Sequence, residues 1–87
     1  MTYIDERRSD YIRILRNELP VLRAMMKISQ AELARGVGIS RQTYSLIETG
    51  KQEMSWVTFM AMLAFFGNNA KARKYLEGLG LVDKMQK

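Results

Sequence analysis

The sequence predicts an all-α fold, and two observations carry that expectation. Apolar residues recur at helical spacing along the chain, and no segment sustains the alternation of a half-buried strand. The only proline, Pro20, suits a first helical turn, where its missing N–H is not needed. A chain of 87 residues fits a single domain, residues 1–87, with a core of five or six helices and no room for a second effector domain.

The first helix of the core is expected over about residues 19–26, with Leu22, Met25 and Met26 as core side chains. Residues 4–18 form an extra N-terminal helical segment. Ile4, Tyr11, Leu15, Leu19, Leu22 and Met26 make one helical stripe that runs straight through Pro20. Either one kinked helix begins near residue 5, or two helices meet between Leu19 and Pro20. A proline inside a helix costs ~3 kcal/mol and pushes the preceding residue out of the helical region, so the break is favoured.

Residues 30–49 are the most informative stretch. Ser29 is a good N-cap, and Glu32 three residues later completes a capping-box pattern. Leu33, Ala34 and Val37 then share a helical face. Gly38 stands where the chain must turn sharply, a left-handed position that glycine reaches without steric cost. Ser40 caps a second helix whose Tyr44 and Ile47 face inward, and Gly50 closes it. Two short helices around such a turn make a helix-turn-helix, with the second helix free to enter a DNA major groove. A fourth helix begins after Ser55 and runs through Phe66 to Gly67. A fifth, over about residues 68–80, starts from Asn68 or Asn69 and ends at Gly78 or Gly80. Residues 83–87 are expected to fray.

Composition removes several classes of function. There is no cysteine for disulfides or thiolate–metal sites, and no histidine as general base or metal ligand. The net charge is +5 and suits a polyanionic partner. Residues 1–18 are neutral, residues 19–67 carry +2 and residues 68–87 carry +3. No signal-like start and no membrane span are expected, because the uncharged run over residues 54–70 falls short of roughly 20 apolar residues. A cytoplasmic protein, without metal or cofactor and not an enzyme, is the expectation.

Residues 19–67 resemble the phage-repressor and Cro-type helix-turn-helix domain of the Xre family. The matching runs are Leu19-Pro20-Val21-Leu22-Arg23, Ser29-Gln30-Ala31-Glu32-Leu33-Ala34, Val37 through Lys51, and a helix ending in Phe65-Phe66-Gly67. The resemblance implies a lambda-repressor-like five-helix bundle. It also implies that Arg41, Gln42, Ser45 and Leu46 face DNA base edges and that Gln30, Ser40, Thr43 and Lys51 touch phosphates. The chemistry is apt: arginine bridges guanine O6 and N7, glutamine bridges adenine N6 and N7, and leucine meets a thymine methyl. Arg23 and Glu48 match a structural ion pair that joins the first core helix to the reading helix.

The sequence departs from the family pattern at Gly36, a helix-weakening residue costing up to ~1 kcal/mol, and in the fourth helix. Relatives usually carry polar residues on that helix's outer side, where this chain has Val57, Ala61, Ala64 and Phe65. The inner side is read as Trp56, Phe59, Met60, Leu63 and Phe66. A helix apolar all round is expected to be covered all round, by the N-terminal segment or by a second subunit. The seven methionines read as gap fillers, and Lys71, Arg73 and Lys74 as a solvated face. Gly36-Val37-Gly38 and Gly78-Leu79-Gly80 follow no strand and are not phosphate loops.

The leading functional expectation is a sequence-specific regulator of transcription: a homodimer on double-stranded DNA, reading a near-palindromic site. The alternative is an antitoxin that also represses its own operon and holds a toxin partner through the apolar fourth helix or the N-terminal segment. A protein-interaction module that has lost DNA binding fits less well, because Gln30, Ser40, Arg41 and Gln42 are all in place.

Overall fold

The computed structural model describes residues 3–83, with side chains from Arg7 onward. Five helices follow one another: α1 (Tyr3–Met26), α2 (Gln30–Val37), α3 (Arg41–Glu48), α4 (Trp56–Gly67) and α5 (Ala70–Leu79). No strand occurs among the described residues. The all-α bundle expected from helical spacing is the observed fold.

One expectation fails at Pro20. The steric cost of proline favours a break beside Leu19, yet α1 is a single helix through that position. Leu15, Leu19 and Leu22 are fully buried on both sides of the proline. Burying each such side chain is worth about 1.5–3 kcal/mol, so packing on the two flanks outweighs one lost backbone bond. Pro20 itself is exposed. The stripe predicted from spacing holds at Tyr11, Leu15, Leu19, Leu22 and Met26, while the side chain of Ile4 lies outside the described residues. The helix ends with Lys27 in the left-handed region (φ 57°). Ile28 N–H donates to the Arg23 carbonyl at 3.1 Å and Lys27 N–H to the Ala24 carbonyl at 3.2 Å, a Schellman closure.

The four remaining helices each open on a polar cap. Ser29, Ser40, Ser55 and Asn69 accept from the backbone N–H of Glu32, Thr43, Thr58 and Ala72 respectively, satisfying one orphan donor each. Their inner faces converge on one core. It contains Leu33 and Ala34 of α2, Tyr44 and Ile47 of α3, Phe59, Met62 and Phe66 of α4, and Ala72 and Leu76 of α5. The expected fraying of residues 83–87 falls mostly outside the described residues. Asp83 is within them, and its carbonyl accepts from Arg73 at 3.2 Å.

The fourth helix corrects two readings. Met60, assigned to the inner side, is 51% exposed, and the buried methionine is Met62. Nor do the described side chains of α1 cover the outer stripe at Val57 and Ala64. The Arg8 guanidinium lies over the Trp56 ring at 4.7 Å, whereas Val57 remains 79% exposed. Phe65 is covered instead by α2. A Cβ built on Gly36 would lie 2.7 Å from Phe65 Cδ1, closer than real Cβ atoms come, and 3.1 Å from Cζ, a tight contact. Gly36 is therefore the seat of the Phe65 ring, and α2 continues through it to Val37. Gly36→Ala gains helix propensity but overpacks this contact, and we expect a net loss of about 1–2 kcal/mol. Phe65→Leu in the same chain should recover most of that loss in chemical denaturation. Additive effects of the two substitutions would show that the ring does not rest on Gly36.

Candidate nucleic-acid interface

The α2–α3 turn is built from the backbone outward. Gly38 adopts φ 83°, a left-handed conformation that glycine takes without a Cβ penalty. Ile39 N–H returns to the Ala34 carbonyl at 3.0 Å, closing α2 before Ser40 opens α3. Within α3, Tyr44 and Ile47 are buried. Because side chains advance 100° per residue, Arg41, Gln42, Ser45 and Leu46 then share the opposite face. Arg41 and Gln42 are exposed, and Ser45 and Leu46 are half-buried beside them. The four candidate base-reading residues thus form one contiguous outward surface.

Glu48 fixes the orientation of that surface. Arg23 of α1 donates from Nε to Oε2 at 3.0 Å and from Nη2 to Oε1 at 3.2 Å, a bidentate pair. Tyr44 donates its hydroxyl to Oε2 at 2.6 Å, and Gln30 Nε2 donates to Oε1 at 2.7 Å. A carboxylate offers about four lone-pair sites, and these donors from α1, α2 and α3 fill them. Burial pushes the Glu48 carboxyl up, but the hydrogen bonds from Arg23, Tyr44 and Gln30 outweigh it, so the group sits below its ordinary range. The Glu48 hydrogen bond raises the Arg23 guanidinium further. Burial, and then the bond to Glu48, raises the Tyr44 phenol, which stays neutral. The ion pair expected between Arg23 and Glu48 is present and belongs to a larger hub.

The candidate phosphate residues differ in what they have left to offer. Gln30 spends one amide N–H on Glu48 and keeps the second. The α2 N-terminus already carries the Glu32 carboxylate, which accepts from Ser29 N–H at 2.8 Å and is lowered by that backbone bond and by the Ser29 hydroxyl. Any anion contact at Gln30 therefore depends on its side chain. At α3 the situation is reversed, since its first turn holds no acid and begins with Arg41, leaving the positive end of the helix open. The Ser40 hydroxyl caps Thr43 N–H and donates to Thr43 Oγ1 at 3.0 Å, so the Thr43 hydroxyl proton is the one that remains available. Ser55 and Thr58 repeat the same pairing at the start of α4, so this pattern is first a capping device. Lys51 is exposed, and its N–H returns to the Leu46 carbonyl at 2.8 Å, which holds it beside the end of α3.

Sequence reasoning missed the two additional Glu48 donors. Tyr44 and Glu48 lie four residues apart, a signal that was there to use. Gln30 to Glu48 spans eighteen positions and is visible only once α2 crosses α3. Among the described residues no cluster of acidic side chains suits a metal ion, and no helix is long and apolar enough to cross a membrane.

A capped, outward-facing α3 carried on α2 and locked to α1 defines a DNA-binding domain of the helix-turn-helix type. Comparison with known proteins specifies it further. Residues 22–68 match the helix-turn-helix family model of Cro/C1 type, and the chain belongs to that family. Over 53 residues it is 38% identical to a Methanocaldococcus jannaschii protein described as an uncharacterized HTH-type transcriptional regulator. That match covers 61% of this chain and 80% of the relative. No solved structure matches the chain.

Proposed function

We propose that the protein is a sequence-specific regulator of transcription that binds double-stranded DNA as a homodimer, with α3 in the major groove. The observation that carries this reading is the outward set on α3. Arg41 and Gln42 stand exposed at its start, where the helix field and the missing acid favour close approach to a phosphate backbone. Ser45 and Leu46 continue the surface toward the base edges. Thr43, Lys51 and the free amide N–H of Gln30 would hold the backbone on either side, with Ser40 setting the Thr43 hydroxyl. The exposed stripe of Val57, Met60 and Ala64 supports pairing with a second copy, because it lies in an uncharged run and self-contact there brings no like charges together. Two reading helices one DNA turn apart, about 34 Å, then match a near-palindrome, and occupancy obstructs or recruits polymerase.

Arg41→Ala and Gln42→Ala should each cost ~1–3 kcal/mol on the specific duplex and relax selectivity at one position, with little change on random DNA. Gel-shift titrations on both duplexes measure this. Unchanged affinities in both variants would remove α3 as the reading helix.

A further inference from the structure

Away from α3, helices α1 and α5 flank an open groove of about 550 Å³, lined by Met25, Lys71, Lys74, Tyr75, Gly78 and Leu79. That volume lies within the range of binding pockets, and the floor is apolar. Val21, one turn before Met25 on α1, is 42% exposed and extends the apolar strip. The charges around it are one-sided. Lys71 and Lys74 are exposed and make no ion pair among the described residues, whereas Arg73 on the adjoining face is paired with Glu77 at 3.4 Å. The carboxylate bound to the groove wall, Glu18, is taken by the Tyr75 hydroxyl at 2.6 Å. Gly78 adds a second observation. It lies in the last turn of a helix, where glycine costs stability, yet a Cβ there would meet nothing within 4 Å. Packing does not demand the glycine; its bare backbone leaves the groove wide.

We infer that this groove docks an amphipathic helix of a partner protein whose apolar stripe is flanked by carboxylates. The apolar floor takes residues at i, i+3, i+4 and i+7, the helix-in-groove mode, and Lys71 and Lys74 meet the flanking acids. A second copy fits poorly. A two-fold interface sets a patch against itself, which would bring four lysines together against only the two Glu18 carboxylates, each already accepting from Tyr75. The sequence after Asp83, with Lys84 and Lys87, is basic and supplies no acidic side chain. No α2 or α3 residue lines the groove, so a partner held there leaves the reading helix uncovered. The inference goes beyond the DNA-binding reading and does not depend on it.

The test uses the full chain labelled with ¹⁵N and two synthetic helical peptides. Both carry the same leucine stripe, one flanked by glutamates and the other by lysines. The glutamate peptide should shift the amides of Met25, Tyr75, Gly78 and Leu79 in a saturable way and bind about tenfold tighter than the lysine peptide, a ratio of the size expected for two exposed ion pairs gained or opposed. Lys71→Glu with Lys74→Glu should invert that preference. Gly78→Leu should fill the groove and abolish the shifts while the melting temperature does not fall and duplex affinity stays at the wild-type value. Equal binding of the two peptides, or no shift in the groove, would overturn the inference. So would groove shifts that arise on concentrating the protein alone, which would make the occupant a second copy. Retained duplex binding in Gly78→Leu keeps a failure here separate from a failure of α3.

Discussion

Glu48→Ala should destabilise the fold by about 2–4 kcal/mol, although it removes only one surface-reaching side chain. The carboxylate is the shared acceptor for Arg23, Tyr44 and Gln30, and its side chain is only 10% exposed. Removing it leaves the Tyr44 phenol without a partner and the half-buried guanidinium with only its 3.4 Å bond from Nη1 to the Ile28 carbonyl, and an unmade bond at such a group costs more than a made bond gains. The effect falls at the lower part of the range for buried pairs because Arg23 keeps 21% side-chain exposure. Thermal unfolding would read this at about 4–8 °C per kcal/mol for a domain of this size. Arg23→Ala combined with Glu48→Ala should cost less than the two separate losses together, since each alone strands the other. Additivity would mean that the groups do not act as one unit.

The same hub sets an acid limit. The folded state favours the Glu48 carboxylate, so its carboxyl titrates lower when folded than when unfolded. Its stabilisation is complete above the unfolded value of about 4.3 and is lost as pH falls through the lower folded value. Melting temperature should therefore fall more steeply below that point in the wild type than in Glu48→Gln. Equal slopes would place the acid sensitivity elsewhere.

Leu15→Ala should cost about 2–5 kcal/mol, the range for truncating a fully buried leucine. Leu15 lies before the matched residues 22–68, yet it is fully buried in the common core. A protein of this size holds only about 5–15 kcal/mol in total, so the variant should melt far below the wild type. A change within about 0.5 kcal/mol, the usual range for surface positions, would show the N-terminal part of α1 to be an appendage.

What the sequence disclosed follows the range of the forces involved. The caps at Ser29, Ser40 and Ser55 act over three residues and were legible, while that of α5 was narrowed to Asn68 or Asn69, of which Asn69 is the cap. So was the α3 division into Tyr44 and Ile47 inward and Arg41 and Gln42 outward, because it needs only the helical period. Pro20 misled because its local steric cost is plain in the sequence, while the packing of Leu15, Leu19 and Leu22 that overrides it is tertiary. Gly36 read as a defect because the Phe65 ring that needs the space stands twenty-nine positions away. On α4 the uniform hydrophobicity hid the period, so Met60 was read as inner and the buried Met62 was assigned to neither side. The Tyr75 bond to Glu18 and the groove beside it join the two ends of the described chain, and no local pattern announces them.

In vitro selection from random duplexes tests the central claim most directly. The wild-type chain should enrich a near-palindrome with half-site centres about 10–10.5 base pairs apart. The Arg41→Ala, Gln42→Ala double variant should lose base preference inside each half-site while keeping salt-dependent binding to any duplex. Enrichment of the same motif by both proteins, or of no motif by either, would contradict the assignment of α3 as the helix that reads DNA.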